Sequence, residues 1–323
     1  MPNLMLTNWC NYHCPYCFGM DMMAPKQKPS AMSKETFEGI LEWLLRKPFD
    51  KTIHLMGGEP TLHPEIEWVV DRLLEMDMHI TIFSNMATKQ AVELAEKFSP
   101  LPIKWVANVN NPDKWNDTQR ENITKALRSA GKKASLTFNI QPNEPNELWA
   151  IELIERYKLS RNIKVGFVLP TLTSSNIALP ESEYHKAAQR VIDLINAGSH
   201  LDVTIDYECG VPYCAFTDEQ QGFLWRHKSR GSSGCQSRLD ITPDGNVMYC
   251  LPLATAGLRH YTTFENYLEC RNWFEQRFHP YRLLGSRLEC ADCLLNNPLK
   301  CNGGCLAKNM IGAKNIQILD AAQ

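Results

Sequence analysis

The sequence lacks any uninterrupted apolar run near the ~18–20 residues that span a bilayer. Its opening residues, Met1-Pro2-Asn3-Leu4, carry no basic stretch followed by an apolar one. Neither a membrane span nor an export signal is read, and the expected location is the cytoplasm. An excess of charge is missing too: 34 Lys and Arg stand against 36 Asp and Glu, a formal net charge of -2. That balance offers no field for a phosphate backbone, so no nucleic-acid partner is expected. Low-complexity tracts, heptads and fixed-period repeats are absent, and the 19 prolines and 17 glycines are dispersed between patterned segments. Cysteine is too scarce for a disulfide-dense secreted protein: 12 in 323 residues, against the roughly 8–10% of that class. Yet nine of the twelve crowd between Cys209 and Cys305. In a reducing compartment, grouped cysteines hold metal more often than they form disulfides.

The first two hundred residues alternate β-like runs with helical patterns. Strands are predicted at Leu4–Trp9, Thr52–Met56, His79–Phe83, Ile103–Val109, Ala134–Ile140 and Lys164–Leu169. Helices are predicted at Ser33–Arg46, Glu65–Met76, Asp117–Ser129, Glu147–Tyr157 and Glu181–Ala197. Ser33 is a good N-cap, Phe37, Ile40, Leu41, Leu44 and Leu45 form an apolar stripe, and Pro48 stops the helix. This order predicts an α/β fold, a partly closed parallel barrel of six β/α units with its ligand site at the C-terminal strand ends. The texture changes after Leu201, and the expected boundary divides residues 1–205 from 206–323. Met5, Met20, Met22, Met23 and Met32 read as irregular core filling. Trp225, Arg226, His227, Lys228 and Arg230 read as a solvated basic face. His13 is assigned no chemistry.

Directly after the first strand stands Cys10-Asn-Tyr-His-Cys14-Pro-Tyr-Cys17, a C-x3-C-x2-C spacing. Three thiolates on one short loop can hold three irons of a 4Fe-4S cube, leaving the fourth open to a substrate's amine and carboxylate. A zinc loop or accidental clustering is the alternative. One β/α unit later comes Met56-Gly57-Gly58-Glu59-Pro60. Together these resemble the signatures of the radical S-adenosylmethionine (SAM) enzymes. The resemblance implies a SAM-binding 4Fe-4S cluster on Cys10, Cys14 and Cys17, with Tyr16 as the loop aromatic. It also implies that Gly57, Gly58, Glu59 and Pro60 hold the methionine amine, with Glu59 as its acidic partner. By location, Ser84 and Asn85 resemble the pair that meets the ribose and carboxylate of SAM, and Val168 and Leu169 the segment lining adenine. Asn108 and Asn139 point from strand ends into the same region, or serve as structural amides.

Cys235 and Cys250 bracket Ile241-Thr-Pro-Asp-Gly245-Asn-Val247, which reads as a β-hairpin with a Pro-Asp-Gly turn. Downstream, Cys290, Cys293, Cys301 and Cys305 form a C-x2-C-x7-C-x3-C array. The combination resembles the SPASM or twitch extension, a small cysteine-rich domain that carries one or two auxiliary 4Fe-4S clusters. A structural zinc ribbon is the alternative. Three departures stand out: seven residues where the family has five, no cysteine beyond Cys305, and Ser229 where a cysteine is usual. Cys209 and Cys214 are the expected substitutes, with Cys270 a third possibility. Nine thiols exceed the eight that two capped cubes need, so one is expected to stay free. Cys209 and Cys214 are also the candidates for a thiol that returns a hydrogen atom to a substrate radical.

The resemblance implies reductive cleavage of SAM to a 5′-deoxyadenosyl radical, fed by an electron donor such as flavodoxin or ferredoxin. The substrate expected by family analogy is a residue of a ribosomally made peptide or protein, crosslinked, epimerised or oxidised. Many such enzymes carry a recognition domain ahead of the barrel, whereas here the cysteine loop begins at Cys10, so a separate carrier or direct recognition is expected. Dehydrogenation of a small molecule is the alternative, and a non-enzymatic iron-sulfur or zinc protein the distant one.

Overall fold

In a computed structural model of the chain, residues 2–24, 26–142, 147–229, 234–235, 238–296 and 300–315 are described. Seven strands follow one another in chain order: β1 (Asn3–Thr7), β2 (Thr52–Gly57), β3 (His79–Ser84), β4 (Lys104–Asn108), β5 (Ala134–Ile140), β6 (Asn162–Phe167) and β7 (Thr204–Tyr207). Each pairs in parallel with the next. The crossovers are helices: α1 (Lys34–Leu45), α2 (Ile66–Glu75), α3 (Lys89–Lys97), α4 (Asp117–Ala130), α5 (Trp149–Tyr157) and α6 (Tyr184–Ala197). All six expected strands are present, in the α/β barrel-like arrangement expected of the parallel pattern.

Within the parallel part of the sheet and its crossovers, two elements were not foreseen. Helix α3 is short and poor in large apolar residues, although Thr88 caps it by accepting a hydrogen bond from Ala91 N. Strand β7 continues the parallel sheet beyond β6 and runs across residue 205, where the domain boundary was expected. Val168 and Leu169 lie just past the end of β6 rather than in it.

The cysteine-rich half joins the same sheet. After α7 (Asp218–Arg226) comes the expected hairpin, β8 (Asp240–Ile241) and β9 (Asn246–Met248), with β10 (Arg259–His260) beyond it. Because β8 lies parallel against β1, all ten strands form one sheet in the order β10-β9-β8-β1-β2-β3-β4-β5-β6-β7. Helices α8 (Tyr267–Leu284) and α9 (Leu306–Asn315) complete the chain's described elements. Met5, Met23 and Met248 pack with Leu251 and Ala254 in a small separate core that glues this hairpin to β1. The basic segment expected at the end of α7 is exposed at Trp225, Arg226, His227 and Lys228, and Arg230 lies outside the described residues. Among the described residues no helix is long and apolar enough to cross a membrane.

Helix α1 shows how the halves are clasped. Ser33 Oγ accepts from Thr36 N at 3.1 Å, and Phe37, Ile40, Leu41 and Leu44 are buried. Each such side chain contributes about 1.5–3 kcal/mol relative to exposure. Leu45, expected on this stripe, is instead 47% exposed, and Trp43 is buried on a second face. The cause is the C-terminal half, since Trp43 Nε1 donates to Phe264 O at 3.0 Å and Arg46 Nη1 to Glu265 O at 2.9 Å. Replacing Trp43→Phe deprives a buried carbonyl of its donor, and a urea melt is expected to show a loss of about 1–3 kcal/mol. An unchanged midpoint would mean that the clasp carries no stability.

Candidate active site

Four structural pieces meet where β1, β2 and β3 end. The first is the loop carrying Cys10, Cys14 and Cys17, which leaves β1 at Thr7. The second is the turn at Gly57-Gly58, whose backbone lies against that loop: Gly58 N donates to Thr7 O and Glu59 N to Trp9 O, both at 2.8 Å. A Cβ on Gly58 would stand 2.1 Å from Trp9 O, so only glycine permits this approach. Glu59 then caps a short 3-10 turn, Pro60–Leu62, in which Pro60 takes the first position. The third and fourth pieces are the end of β3 and the start of α3.

Glu59 is 1% exposed, and its carboxylate gathers these pieces. Oε1 accepts from Thr61 N (3.2 Å), Thr61 Oγ1 (2.7 Å) and Ser84 Oγ (2.8 Å), while Oε2 accepts from Asn85 N at 2.7 Å. Oε1 thus takes three of these bonds and Oε2 one, so Oε2 keeps room for a further donor. Burial still raises its pKa, against the pull of Asn85, Thr61 and Ser84. The sequence reading gave this side chain a ligand's ammonium as partner; in the structure Oε1 is engaged within the protein, while Oε2 accepts from Asn85 N. Ser84 and Asn85, expected to face SAM, are engaged in the same way. Ser84 Oγ also accepts from Met86 N at 2.9 Å, and Asn85 Nδ2 donates to Asn11 Oδ1 at 2.8 Å, inside the cysteine loop. The signal for this role was present in Thr61 and Thr88, whose hydroxyls meet at 2.6 Å.

The three thiols are half-buried. Burial pushes the Cys10 thiol up to about 12, with Glu59, Cys14 and Cys17 adding to it, and raises Cys14 and Cys17 as well. Such a group cannot ionise together without a cation among them, which is the environment that suits a metal cluster. Tyr16 lies against Cys14 and donates its hydroxyl to Asn110 Oδ1 at 2.6 Å. Beside the loop opens a cavity of about 320 Å³, walled by Tyr12, Cys14, Tyr16, Asn110, Asn139 and Gln141. Val168 and Leu169 are buried behind it, with Leu179 N donating to Val168 O and Asn176 Nδ2 to Leu169 O.

A second cavity, about 400 Å³, lies within the barrel and reaches the cysteine-rich half. Asn139 borders both cavities, and Asn108 lines the second. Its far wall holds four thiols: Cys209, Cys235, Cys250 and Cys305. Burial raises the pKa of each, and every one of the six pairs among them is close enough for one thiol to raise another. Glycine again permits the approach. A Cβ on Gly210 would stand 2.6 Å from Gly304 O, and Gly304 has φ +84°, so the segments bearing Cys209 and Cys305 cross in contact. Cys214 belongs elsewhere, within reach of Cys301 and Cys290. Cys293 N donates to Cys290 O at 3.3 Å, placing it in the same turn. Cys270 is apart from both sets, fully buried in the apolar core. Among the described residues no three His, Cys, Asp or Glu side chains close tightly enough to grip a single metal ion.

Comparison with known proteins follows this geometry. Residues 4–110 match the Radical SAM superfamily. Over 266 residues the chain is 23% identical to a GTP 3′,8-cyclase of Ectopseudomonas mendocina (strain ymp), covering 77% of this chain and 78% of that protein. It is 21% identical over 344 aligned positions to the radical SAM cyclopropyl synthase TigE of Paramaledivibacter caminithermalis, covering 98% of this chain and 70% of that one. Among solved structures, Streptococcus suis SuiB bound to S-adenosylmethionine superimposes with a TM-score of 0.63 at 16% identity, over 94% of this chain and 72% of that one. SuiB bound to its precursor peptide SuiA gives 0.61 at 15% identity, over 95% and 69%. The likeness to SuiB is one of fold.

Two outcomes follow from the site. In metal-stripped protein at pH 8, iodoacetamide is expected to alkylate Cys10 about 10³-fold more slowly than free cysteine, with the rate rising about tenfold per pH unit. Alkylation at the free-cysteine rate would show that the loop is not packed as described. Gly58→Ala is expected to lower the iron retained after anaerobic reconstitution by at least about half, measured by iron assay, because the cysteine loop must move off the turn.

Proposed function

We propose that this chain, a radical SAM enzyme, oxidatively modifies a residue of a ribosomally made peptide. The family implies a 4Fe-4S cluster and SAM, and the donor set fits: Cys10, Cys14 and Cys17 would hold the cluster on one half-buried loop. When bound, a cube with one iron open supplies SAM with the electron that yields methionine and a 5′-deoxyadenosyl radical. The chain's own groups orient and exclude water. The Gly57-Gly58 backbone would receive the methionine part, with Glu59, Ser84 and Asn85 holding that turn and the cysteine loop in register. Tyr16, Asn139 and the buried Val168–Leu169 segment would flank the nucleoside, in the smaller cavity. Residues 1–205 would form this core, and residues 206–323 the auxiliary part.

The observation that carries the oxidative reading is the four-thiol wall of the barrel cavity. Cys305 is buried and Cys209, Cys235 and Cys250 are half-buried, and all four lie near enough to raise one another's pKa, as thiols grouped round one 4Fe-4S cluster would. Cys214, Cys290, Cys293 and Cys301 would hold a second one. Assigned this way, Cys209 and Cys214 are ligands rather than hydrogen donors, and Cys270 is the ninth, unligated thiol. The peptide class is supported by the fold shared with SuiB, a protein solved with a precursor peptide bound. A nucleotide or other small molecule is the second reading, favoured by the match to a GTP cyclase over 77% of the chain. Flavodoxin or ferredoxin is the class of electron donor the chemistry needs.

The deciding experiment is anaerobic reconstitution, dithionite reduction and chromatographic detection of 5′-deoxyadenosine. Wild type is expected to form it, and a Cys10, Cys14 and Cys17 triple alanine variant to form none above background; equal traces would end the radical SAM reading. If a short open reading frame lies beside the gene, co-expression with the peptide it encodes separates the outcomes by mass. Oxidation leaves a product about 2 Da lighter, whereas epimerisation in deuterated water adds one deuteron. For the auxiliary sets, Cys209→Ala and Cys214→Ala are each expected to lower iron content, and Cys270→Ala to leave it unchanged.

A further inference from the structure

A chain of polar contacts outside the cluster loop ends on the barrel cavity. In β2 the side chains alternate, and His54, only 5% exposed, faces the cavity that Met56, Asn108 and the four thiols line. Its Nδ1 lies 2.9 Å from Asn3 Oδ1. Asn3 Nδ2 donates to Asp240 Oδ1 at 2.6 Å, and Asp240 Oδ2 accepts from Leu251 N at 2.7 Å. The order fixes every hydrogen. Burial raises Asp240 to about 6; above that pH it is an acceptor only, so Asn3 turns its amide NH2 toward it and its carbonyl toward His54, and Nδ1 then carries the imidazole proton. The remaining nitrogen, Nε2, keeps its lone pair and makes no hydrogen bond among the described residues. The Phe83 ring, 5.3 Å away, holds the imidazole plane.

Burial, together with Arg238 and Lys164, pushes His54 down to about 3, against Asp50. The ring is thus neutral across any working pH. Lys164 reaches the cavity from β6 and is paired with Glu208 at 3.5 Å, and Arg238 reaches it from the segment before β8. The hydroxyls of Tyr207 and Tyr249 also line the cavity, buried and without a hydrogen-bond partner. Two idle hydroxyls and one free lone pair in a single cavity call for a polar guest.

We propose that His54 is the proton acceptor for the substrate in this cavity, taking an N–H or O–H proton at Nε2. The proposal rests on the oxidative reading above and deepens it. A dehydrogenation or crosslink removes two hydrogens from the substrate: one leaves as a hydrogen atom to the 5′-deoxyadenosyl radical, the other as a proton. The accompanying electron goes to a one-electron acceptor of the iron-sulfur class. The proton has to go to a base beside the reacting atoms, and a substrate radical losing its electron is acidic enough for a neutral imidazole to accept from it. Epimerisation sheds no such proton, so this role belongs to the oxidative outcome alone.

The experiment has two arms on the reconstituted holoenzyme. In the first, diethyl pyrocarbonate probes the lone pair, read by peptide mass spectrometry: label on His54, at a rate that does not fall between pH 8 and pH 5, is expected, and an unlabelled His54 overturns the proposal whether or not variants fold. In the second, the probe is the peptide encoded by a short open reading frame found beside the gene, and product formed per 5′-deoxyadenosine is measured. His54→Gln is expected to lower that ratio by at least about 10²-fold, and imidazole added to His54→Ala to recover part of it. Asn3→Leu, which frees the ring to take the other tautomer, is expected to lower it less. An unchanged ratio in His54→Gln overturns the proposal while leaving the radical reading intact. Absence of deoxyadenosine from wild type overturns the radical reading itself, and this inference with it.

Discussion

Four hydrogen bonds into one buried carboxylate hold the catalytic end of this barrel together. Glu59 is reached by donors from the turn after β2, from the last residue of β3 and from the residue beyond it. Through Asn85 the same network touches Asn11, between the first two cysteines of the loop. A carboxylate so placed costs desolvation, which its donors offset only in part, as its raised pKa records. Its effect is to make three strand ends and one long loop a single rigid object, on which half-buried thiols can be presented at fixed spacing.

Thiol chemistry imposes the second constraint. Most cysteines here sit where burial disfavours the thiolate, and the groups that would help one another bind metal hinder one another's ionisation without it. A bound cluster reverses the sign of that coupling, because cationic iron stabilises every thiolate at once. The apolar surroundings also exclude water from the sites.

Much of the fold was legible because parallel strands buried on both faces read as short apolar runs, and helices such as α1 carry their stop and start signals in Ser33 and Pro48. What escaped reading had weak local signals. Helix α3 packs mostly small residues, Ala91 and Ala95 among them, and β7 is only four residues long. The cysteine motifs announced which residues bear the chemistry, and not which thiols group together, since the split between Cys209 and Cys214 depends on a crossing of Gly210 over Gly304 far apart in the chain. Pattern reading gave Glu59, Ser84 and Asn85 ligand-facing roles and did not reveal the hydrogen bonds that also join them to one another and to the cysteine loop. His54 escaped as well: a lone histidine in an apolar strand gives no hint of Asn3 and Asp240, its partners from the two ends of the sequence.

The pairing of β8 with β1 has a consequence for how the chain can be divided. Without that contact β1 would be the terminal strand of the parallel sheet, offering bare amides and carbonyls beside the exposed apolar side of Met5. Uncovered edges of this kind recruit neighbouring molecules into intermolecular sheets. The cysteine-rich portion thus acts as a selvedge that seals the fabric, and a shortened protein carrying only the amino-terminal motifs would be prone to self-association rather than simply inactive.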